Sequence, residues 1–222
     1  MNKRQNNKEY YLETEFEIPK CRFNSYWHQI HEVLKTKPKD FLEIGVGSSF
    51  VSNYLKCKKM NVKTFDIDKK LNPDVVGDIT NLSKSFKENS FDTILCSEVL
   101  EHLPFNSFRI CLKEILQVSK RNVIISLPHH ALQGVFYFKF PAIKKFLFKV
   151  RIPFPFRFRW KIGGAHYWEI GWKGYSLRKI KKIISEYFEI KEIYSVTENP
   201  YHWFFVLRKK TNMKRNDLLF KN

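Results

Sequence analysis

Residues 40–57, DFLEIGVGSSFVSNYLKC, constrain the fold most, because they combine an apolar run, two closely spaced glycines and an amphipathic pattern. The apolar run at 41–44 predicts a short buried strand. Gly45 and Gly47 then allow a tight turn in which the backbone can approach a ligand closely. The serine pair at 48–49 is expected to cap a helix whose apolar residues recur at helical spacing. The stretch therefore predicts a βα unit that binds a mononucleotide.

Glu43 lies two residues before the first glycine, at the carboxyl end of the predicted strand. A buried carboxylate there is costly unless it meets a polar or cationic ligand group, and an amino-acid ammonium is such a group. The acid-x-Gly-x-Gly pattern of Glu43, Gly45 and Gly47 resembles the first motif of the class I S-adenosylmethionine-dependent methyltransferases. Phe50 stands where a dinucleotide fingerprint has its third glycine, which disfavours a nicotinamide dehydrogenase.

The resemblance implies S-adenosyl-L-methionine as the cofactor and a fold of the α/β class. We expect a doubly wound, mainly parallel seven-stranded sheet, the Rossmann-like methyltransferase fold, with an antiparallel C-terminal edge hairpin. The alternating patterns at 188–196 and 201–207, separated by an Asn-Pro turn, agree with such a hairpin.

Acidic residues follow the next two predicted strands. Asp66 and Ile67 end the second strand about twenty residues beyond the glycines, where a carboxylate of a βαβ unit reaches ribose hydroxyls. We prefer Asp66 to Asp68, which lies further into the loop. For Asp78 and Ile79, after the third strand, the resemblance implies that the carboxylate contacts the adenine amino group and the next backbone faces the ring. Asp78 fits a cap of the following turn as an alternative.

The fourth predicted strand, residues 91–96, leads directly into SEVLEHLP. The sequence VLEHLP resembles the fourth motif of small-molecule class I methyltransferases. Ser97 and Glu98 are expected at the carboxyl end of the strand, where ligands bind in open parallel α/β sheets. His102 is either a proton acceptor near the transferred methyl group or a residue that shapes the loop.

Histidines are the candidates for a catalytic base. His129 and His130 end the fifth predicted strand, and an ordinary imidazole pKa near 6.5 allows proton acceptance at neutral pH. In order of preference, we expect the base to be His130, His129, His166 or His102.

A cluster of imidazole, phenol, indole and carboxylate follows a Gly-Gly pair: His166, Tyr167, Trp168 and Glu169. It predicts a lid that faces the substrate, although its rings fit a closed core equally well. The segment is also similar to one in methyltransferases associated with surface polysaccharide synthesis.

Residues 115–168 contain no Asp or Glu but ten Lys and Arg residues. Their centre, FKFPAIKKFLFKVRIPFPFRFRWKIGG, alternates cations with aromatic rings and is too charged to span a bilayer. Such a segment suits an anionic membrane surface. Single-stranded nucleic acid is a competing partner, and a folded insertion with core rings is a third interpretation. The formal net charge of +18 does not distinguish between these interpretations.

For the domain organisation, we predict an N-terminal arm and helix (1–39), a methyltransferase domain (40–209) with a basic aromatic insertion or substrate lid (129–172), and a basic tail (210–222). The scattered cysteines show no metal-ligand spacing, so we expect no metal. The absence of an apolar leader predicts a cytoplasmic protein, with peripheral contact at the inner face of the membrane. The sequence does not indicate an oligomeric state.

The expected activity is transfer of a methyl group to an oxygen, or a nitrogen, of a sugar, glycan or other small-molecule acceptor, including a lipid-linked one. Two alternatives remain open: an RNA methyltransferase, and a non-catalytic binding module that retains the cofactor fold.

Overall fold

The computed structural model describes residues 20–140, 143–152 and 166–210. Within these ranges the helices are α1 (Lys20–Thr36), α2 (Phe50–Cys57), α3 (Phe108–Val118) and α4 (Leu177–Tyr187). The strands are β1 (Asp40–Ile44), β2 (Asn61–Asp66), β3 (Val75–Val76), β4 (Phe91–Ser97), β5 (Ser119–Pro128), β6 (Leu132–Phe140), β7 (Ile143–Ile152), β8 (Phe188–Ser195) and β9 (His202–Lys209). Short 3₁₀ helices cover Lys69–Leu71, Ile79–Lys84, Leu100–His102 and Phe105–Ser107.

Seven strands form one sheet in the order β3-β2-β1-β4-β5-β9-β8, and β9 runs antiparallel to both of its neighbours. The prediction of a doubly wound, mainly parallel sheet with an antiparallel edge hairpin is therefore confirmed. The chain leaves β1 toward β2 and β3 on one side and continues with β4 and β5 on the other. This change of direction opens a crevice at the carboxyl ends of β1 and β4.

The sheet is covered on both faces, which is why its central strands are apolar without alternation. Leu42, Ile94 and Ile125 point to a core that also contains apolar residues of α3 and α4. Leu95 and Ile124, one residue out of phase, point to the core formed with α1 and α2. The result is three layers, with the crevice at one end of the middle layer.

The predicted insertion contains a two-stranded sheet of its own, in which β6 and β7 pair antiparallel. The rest of its basic aromatic centre, 141–142 and 153–165, lies outside the described residues, as do the N-terminal arm before residue 20 and the tail after residue 210. The domain boundaries stay a prediction. Among the helices of the described ranges, none is long and apolar enough to cross a membrane.

Candidate active site

A cavity of about 510 Å³ lies in the crevice, a size typical of small-molecule sites. Every residue predicted to bind the cofactor lines it: Glu43, Gly45, Gly47, Asp66, Ile67, Asp78, Ile79, Ser97 and Glu98. Two of the four predicted bases, His102 and His166, line the same cavity. The geometry thus brings the acidic strand ends and two imidazoles to one site.

The glycine turn after β1 packs tightly against the loop after β4. Gly45 has φ +83°, and a Cβ at this position would overlap Cγ2 of Val99. Its backbone N–H donates to the carbonyl of Phe65, 2.9 Å away. Ser49 occupies the N-cap position of α2 with φ 59° but makes no side-chain cap hydrogen bond, and the Ser48 hydroxyl lies 3.1 Å from the hydroxyl of Tyr26. The expected serine cap is therefore wrong.

Substitution of Gly45 is expected to be costly for two reasons: its positive φ disfavours any side chain, and a Cβ would overlap Val99. We expect Gly45→Ala to lower the free energy of unfolding by about 1–3 kcal/mol more than Gly174→Ala. Gly174 has a similar φ of +92° but no described atom within 4 Å of a built Cβ, so it isolates the cost of overlap. Urea denaturation of both variants measures the difference, and equal losses would contradict the packing described here.

Glu43 is a buried carboxyl group that faces the cavity. Its side chain is 4% exposed, and its Oε2 atom has no hydrogen-bond partner among the described residues. Burial raises the pKa of Glu43 to about 8, although Ser52 and Lys56 act in the opposite direction. A cationic ligand group is the partner that would favour its charged form.

Asp66 connects the tip of β2 to the glycine turn. Its Oδ2 accepts a hydrogen bond from the backbone N–H of Val46, and its Oδ1 accepts one from that of Asp68, both at 2.8 Å. Each carboxylate oxygen retains a second lone pair for a ligand hydroxyl. Burial raises the pKa of Asp66. Asp68 instead caps a 3₁₀ helix through the N–H of Lys70, which agrees with the preference for Asp66.

Asp78 has the capping role that is one of the two interpretations of its sequence context. Its Oδ1 accepts a hydrogen bond from the N–H of Thr80 at 3.0 Å and so caps the 3₁₀ helix that follows. The strand β3 accordingly ends at Val76, two residues before this cap. Asp78 also lines the cavity, so its role toward the adenine stays a prediction.

The loop after β4 holds Glu98 in an uncommon backbone conformation, φ 52°. Its N–H donates to the carbonyl of Ser126, and the Ser126 hydroxyl donates to Glu98 Oε1 at 2.7 Å. Ser97 joins this network, with its hydroxyl 2.6 Å from that of Ser126. A non-glycine residue at positive φ needs support from its surroundings, and Ser126 of β5 supplies it. The bond from the Ser126 hydroxyl also fixes the direction of the Glu98 carboxylate.

Glu98 belongs to a group of ionisable side chains that we call the acid–imidazole cluster: Glu98, Glu101, His102, His166 and Glu169. The His102 and His166 rings pack edge to face with centroids 4.8 Å apart. His166 Nδ1 lies 2.8 Å from Oε1 of the buried Glu169. Burial raises the pKa of Glu101 well above its ordinary range, and the nearby charges of Glu98 and Glu169 add to this.

His166 is positioned by the residues that follow it. The N–H of Tyr167 donates to the carbonyl of Glu101 at 2.8 Å, and the indole N–H of Trp168 donates to the carbonyl of Leu103 at 3.2 Å. Ile170 pairs with the end of β5 through the carbonyl of Pro128. These bonds fix the 166–170 segment against the VLEHLP turn and bring His166 to the cavity.

The expectation that His129 and His130 lie over the site is corrected, because neither lines the cavity. Since β5 continues to Pro128, the two histidines enter backbone pairing: the His129 N–H donates to Tyr201 and that of His130 to Ile170. His129 is 7% exposed, and its ring stacks on Trp203. The direction of the chain after β5 therefore keeps both histidines out of the cavity lining.

The predicted substrate-facing residues are also reassigned in part. Trp168 is fully buried and packs against Phe105 and Phe108, so it belongs to the core rather than to a lid surface. Tyr167 packs against the same core and does not line the cavity. Glu169 is buried and does not line the cavity, and its carboxylate lies beside Nδ1 of His166, which does.

Three further residues at or beside the cavity were missed by the sequence analysis. Tyr201 and His202 line the cavity from the start of β9, and His202 Nε2 lies 3.7 Å from Glu98 Oε2. Burial raises the pKa of Tyr201, and the Glu169 carboxylate raises it further. Glu101 is part of the VLEHLP motif, but the sequence does not show that its side chain is directed inward to the cluster. The predicted C-terminal hairpin, which returns beside β5, could have indicated Tyr201 and His202.

Comparisons with known proteins agree with this architecture. Residues 42–127 match a family described as "Methyltransferase domain". No curated protein sequence matches the chain. Among solved structures, the PH0226 protein from Pyrococcus horikoshii OT3 is 17% identical, with a TM-score of 0.59, and covers 92% of this chain and 100% of its own.

Two structures with named activities are similarly close. The N-methyltransferase NodS from Bradyrhizobium japonicum WM9, solved with S-adenosyl-L-homocysteine (SAH), is 11% identical, with a TM-score of 0.56, and covers 88% of this chain and 90% of its own. The magnesium protoporphyrin IX methyltransferase ChlM from Synechocystis PCC 6803, also with bound SAH, is 15% identical, with a TM-score of 0.57, and covers 86% and 85%. At these identities the similarity shows the fold.

Proposed function

We propose that the chain transfers the methyl group of S-adenosylmethionine to an oxygen, or a nitrogen, of a small-molecule acceptor, since residues 42–127 match a family described as "Methyltransferase domain". One observation carries this proposal. A single cavity is lined by the acidic ends of β1 and β2, by the loop after β3 and by the His102–His166 pair. A methyl donor and an acceptor can therefore meet beside an imidazole.

The residues at the cavity fit the donor part by part. Glu43, buried with an unpartnered oxygen, fits the amino-acid ammonium. Asp66, with free lone pairs on both oxygens, fits the ribose hydroxyls, and Asp78 with Ile79 fits the adenine edge. The donor supplies an electrophilic methyl group on its sulfonium. Ser97 and Glu98 line the same cavity at the carboxyl end of β4.

His166 is the proposed proton acceptor for an oxygen nucleophile. Glu169 binds its Nδ1, and this leaves Nε2 as the nitrogen that can take a proton. In the reaction, the acceptor oxygen bonds to the methyl carbon as the carbon–sulfur bond breaks, and the hydroxyl proton passes to Nε2. His102, whose ring packs against His166, is the second candidate. Alignment of the reacting atoms, about 3–3.5 Å apart, supplies most of the remaining rate enhancement.

The pKa of Glu43 makes donor binding release a proton. At pH 7 a carboxyl with a pKa of about 8 is mostly neutral, so pairing with an ammonium ionises it and releases up to about one proton per SAH bound. Calorimetric titration with SAH in two buffers of different ionisation enthalpy measures this number. Glu43→Gln is expected to abolish the release and to weaken binding. Unchanged proton release in Glu43→Gln would show that another group titrates.

For the acceptor we propose a sugar or glycan intermediate, lipid-linked and methylated at the membrane surface. The support is the basic aromatic segment between 115 and 168, whose cations and phenylalanines suit anionic head groups and the acyl boundary. In this proposal the 129–172 insertion is the part that approaches the acceptor, and the protein works at the inner face of the membrane.

The same charge favours RNA as a second candidate acceptor. RNA binding to a basic segment would weaken steeply with salt, because bound cations are released from the phosphates. A non-catalytic module that keeps the cofactor fold is the third candidate, and it would retain its biological activity without His166 and Glu169.

One assay separates these candidates. Purified protein is incubated with methyl-labelled S-adenosylmethionine and an extract of its own cells, and label is followed into lipid-glycan, RNA, protein and small-molecule fractions. We expect label in the lipid-glycan fraction, absent with Asp66→Ala. Label in RNA would overturn the glycan proposal, and no label despite intact SAH binding would favour the binding module.

A further inference from the structure

Three side chains of the acid–imidazole cluster come close enough to share one ligand. Glu101 and His102 lie on the 3₁₀ helix Leu100–His102, and His166 faces them from the segment fixed against that helix. One carboxylate oxygen and one nitrogen from each imidazole all lie within 4.8 Å of one another. We call these residues the Glu101–His102–His166 triad.

Glu101 is the unusual member of the triad. Its side chain is fully buried, and neither carboxylate oxygen has a hydrogen-bond partner among the described residues. A buried carboxylate that has lost its water and has no cationic partner is costly in its charged form. A cation held between Glu101 and the two imidazoles would supply the missing partner.

The surroundings of His166 match those of a metal-ligating histidine. Such histidines nearly always donate their other ring N–H to a carboxylate or carbonyl, which fixes the tautomer and the ring orientation. Glu169 Oε1 lies 2.8 Å from His166 Nδ1 and is buried behind the ring. This contact assigns the proton to Nδ1 and directs the lone pair of Nε2 away from Glu169.

We propose that the Glu101–His102–His166 triad binds a divalent transition-metal cation. Two imidazoles and one carboxylate are a ligand set for zinc, iron, manganese or cobalt, whereas magnesium and calcium prefer oxygen ligands throughout. Because His102 and His166 line the cavity, a cation held between them would lie beside the proposed active site. This differs from the expectation of no metal, which rested on spacing along the sequence.

The cation and a proton compete for the same nitrogen of His166. With the cation bound, His166 would be a ligand rather than a base, and the cation would lower the pKa of an acceptor hydroxyl that reaches it, so that the proton could pass to water. Binding of the cation itself requires neither donor nor acceptor. The inference can therefore be tested without relying on the proposed function.

The test titrates the untagged, chelator-treated full chain with Co²⁺, followed by its visible absorption, and with Zn²⁺, followed by calorimetry. We expect one equivalent of each to bind. Glu101→Gln keeps the shape of the side chain and removes its charge, and His166→Asn removes one nitrogen ligand. Each is expected to weaken Co²⁺ binding at least about tenfold, whereas His31→Ala, outside the triad, leaves it unchanged.

SAH titration and a thermal melt of the same samples show whether each variant is folded. Folded Glu101→Gln and His166→Asn proteins that bind Co²⁺ as tightly as the wild type would overturn the proposal, as would a wild-type chain that binds neither cation. A wild-type protein that binds one equivalent but transfers no methyl group would count against the proposed function and leave the metal site standing.

Discussion

Replacing His166 with asparagine is expected to lower kcat by about 10²–10⁴-fold while SAH affinity stays within about threefold of the wild type. The reason is geometric: His166 lines the cavity, its Nδ1 is held by Glu169, and its other nitrogen is available to the acceptor. The residues proposed for the donor belong to other elements. Methyl-transfer kinetics with the labelled fraction, together with SAH titration, measure both quantities.

Two companion variants make this prediction specific. Glu169→Gln keeps the side chain but weakens the orientation of the imidazole, so we expect a smaller loss of kcat in the same direction. His130→Asn is the matched control, because His130 lies at the end of β5 but does not line the cavity. A loss in His130→Asn as large as that in His166→Asn would contradict the assignment, as would a His166→Asn protein with normal kcat.

Asp66→Asn is expected to weaken SAH binding by about 10²–10³-fold. The Asp66 carboxylate accepts two backbone hydrogen bonds, from Val46 and from Asp68, and the proposed ribose contact adds a third charged interaction. Hydrogen bonds to a charged group are worth about 1.5–3 kcal/mol each. In asparagine the amide NH₂ replaces one acceptor oxygen and faces an N–H donor, so the glycine turn loses a support together with the ligand.

Asp68→Asn is the control for this variant. Asp68 also lines the cavity, but its side chain caps the Lys69–Leu71 helix. We expect Asp68→Asn to change SAH affinity by less than about fivefold, since only a neutral cap bond replaces a charged one. Equal losses in the two variants would mean that Asp68 rather than Asp66 binds the ribose.

The sheet and its cofactor edge could be predicted from the sequence because their signals are local. An apolar run, a glycine turn and an amphipathic helix specify β1 and α2, and the acid at each strand end then has a fixed place. Parallel strands bring their carboxyl ends to one edge, so Glu43, Asp66 and Glu98 had to converge. No knowledge of side-chain packing was needed for this part.

The imidazoles could not be assigned in the same way, because their positions depend on contacts between distant segments. His129 follows a strand end just as Asp66 does, but pairing with Tyr201 turns it toward Trp203. His166 reaches the cavity only because Tyr167 and Trp168 bind the VLEHLP turn. Trp168 and a lid residue look alike in sequence, since an aromatic ring suits a core and a surface site equally.

A crystal structure of the chain with SAH tests the central claim most directly. We predict the homocysteine ammonium at Glu43, the ribose hydroxyls at Asp66, the adenine beside Asp78 and Ile79, and the sulfur on the side of the cavity that His102 and His166 line. SAH bound in this cavity with its sulfur directed toward the imidazoles would support the account. SAH bound elsewhere, or with its sulfur directed away from both rings, would contradict it.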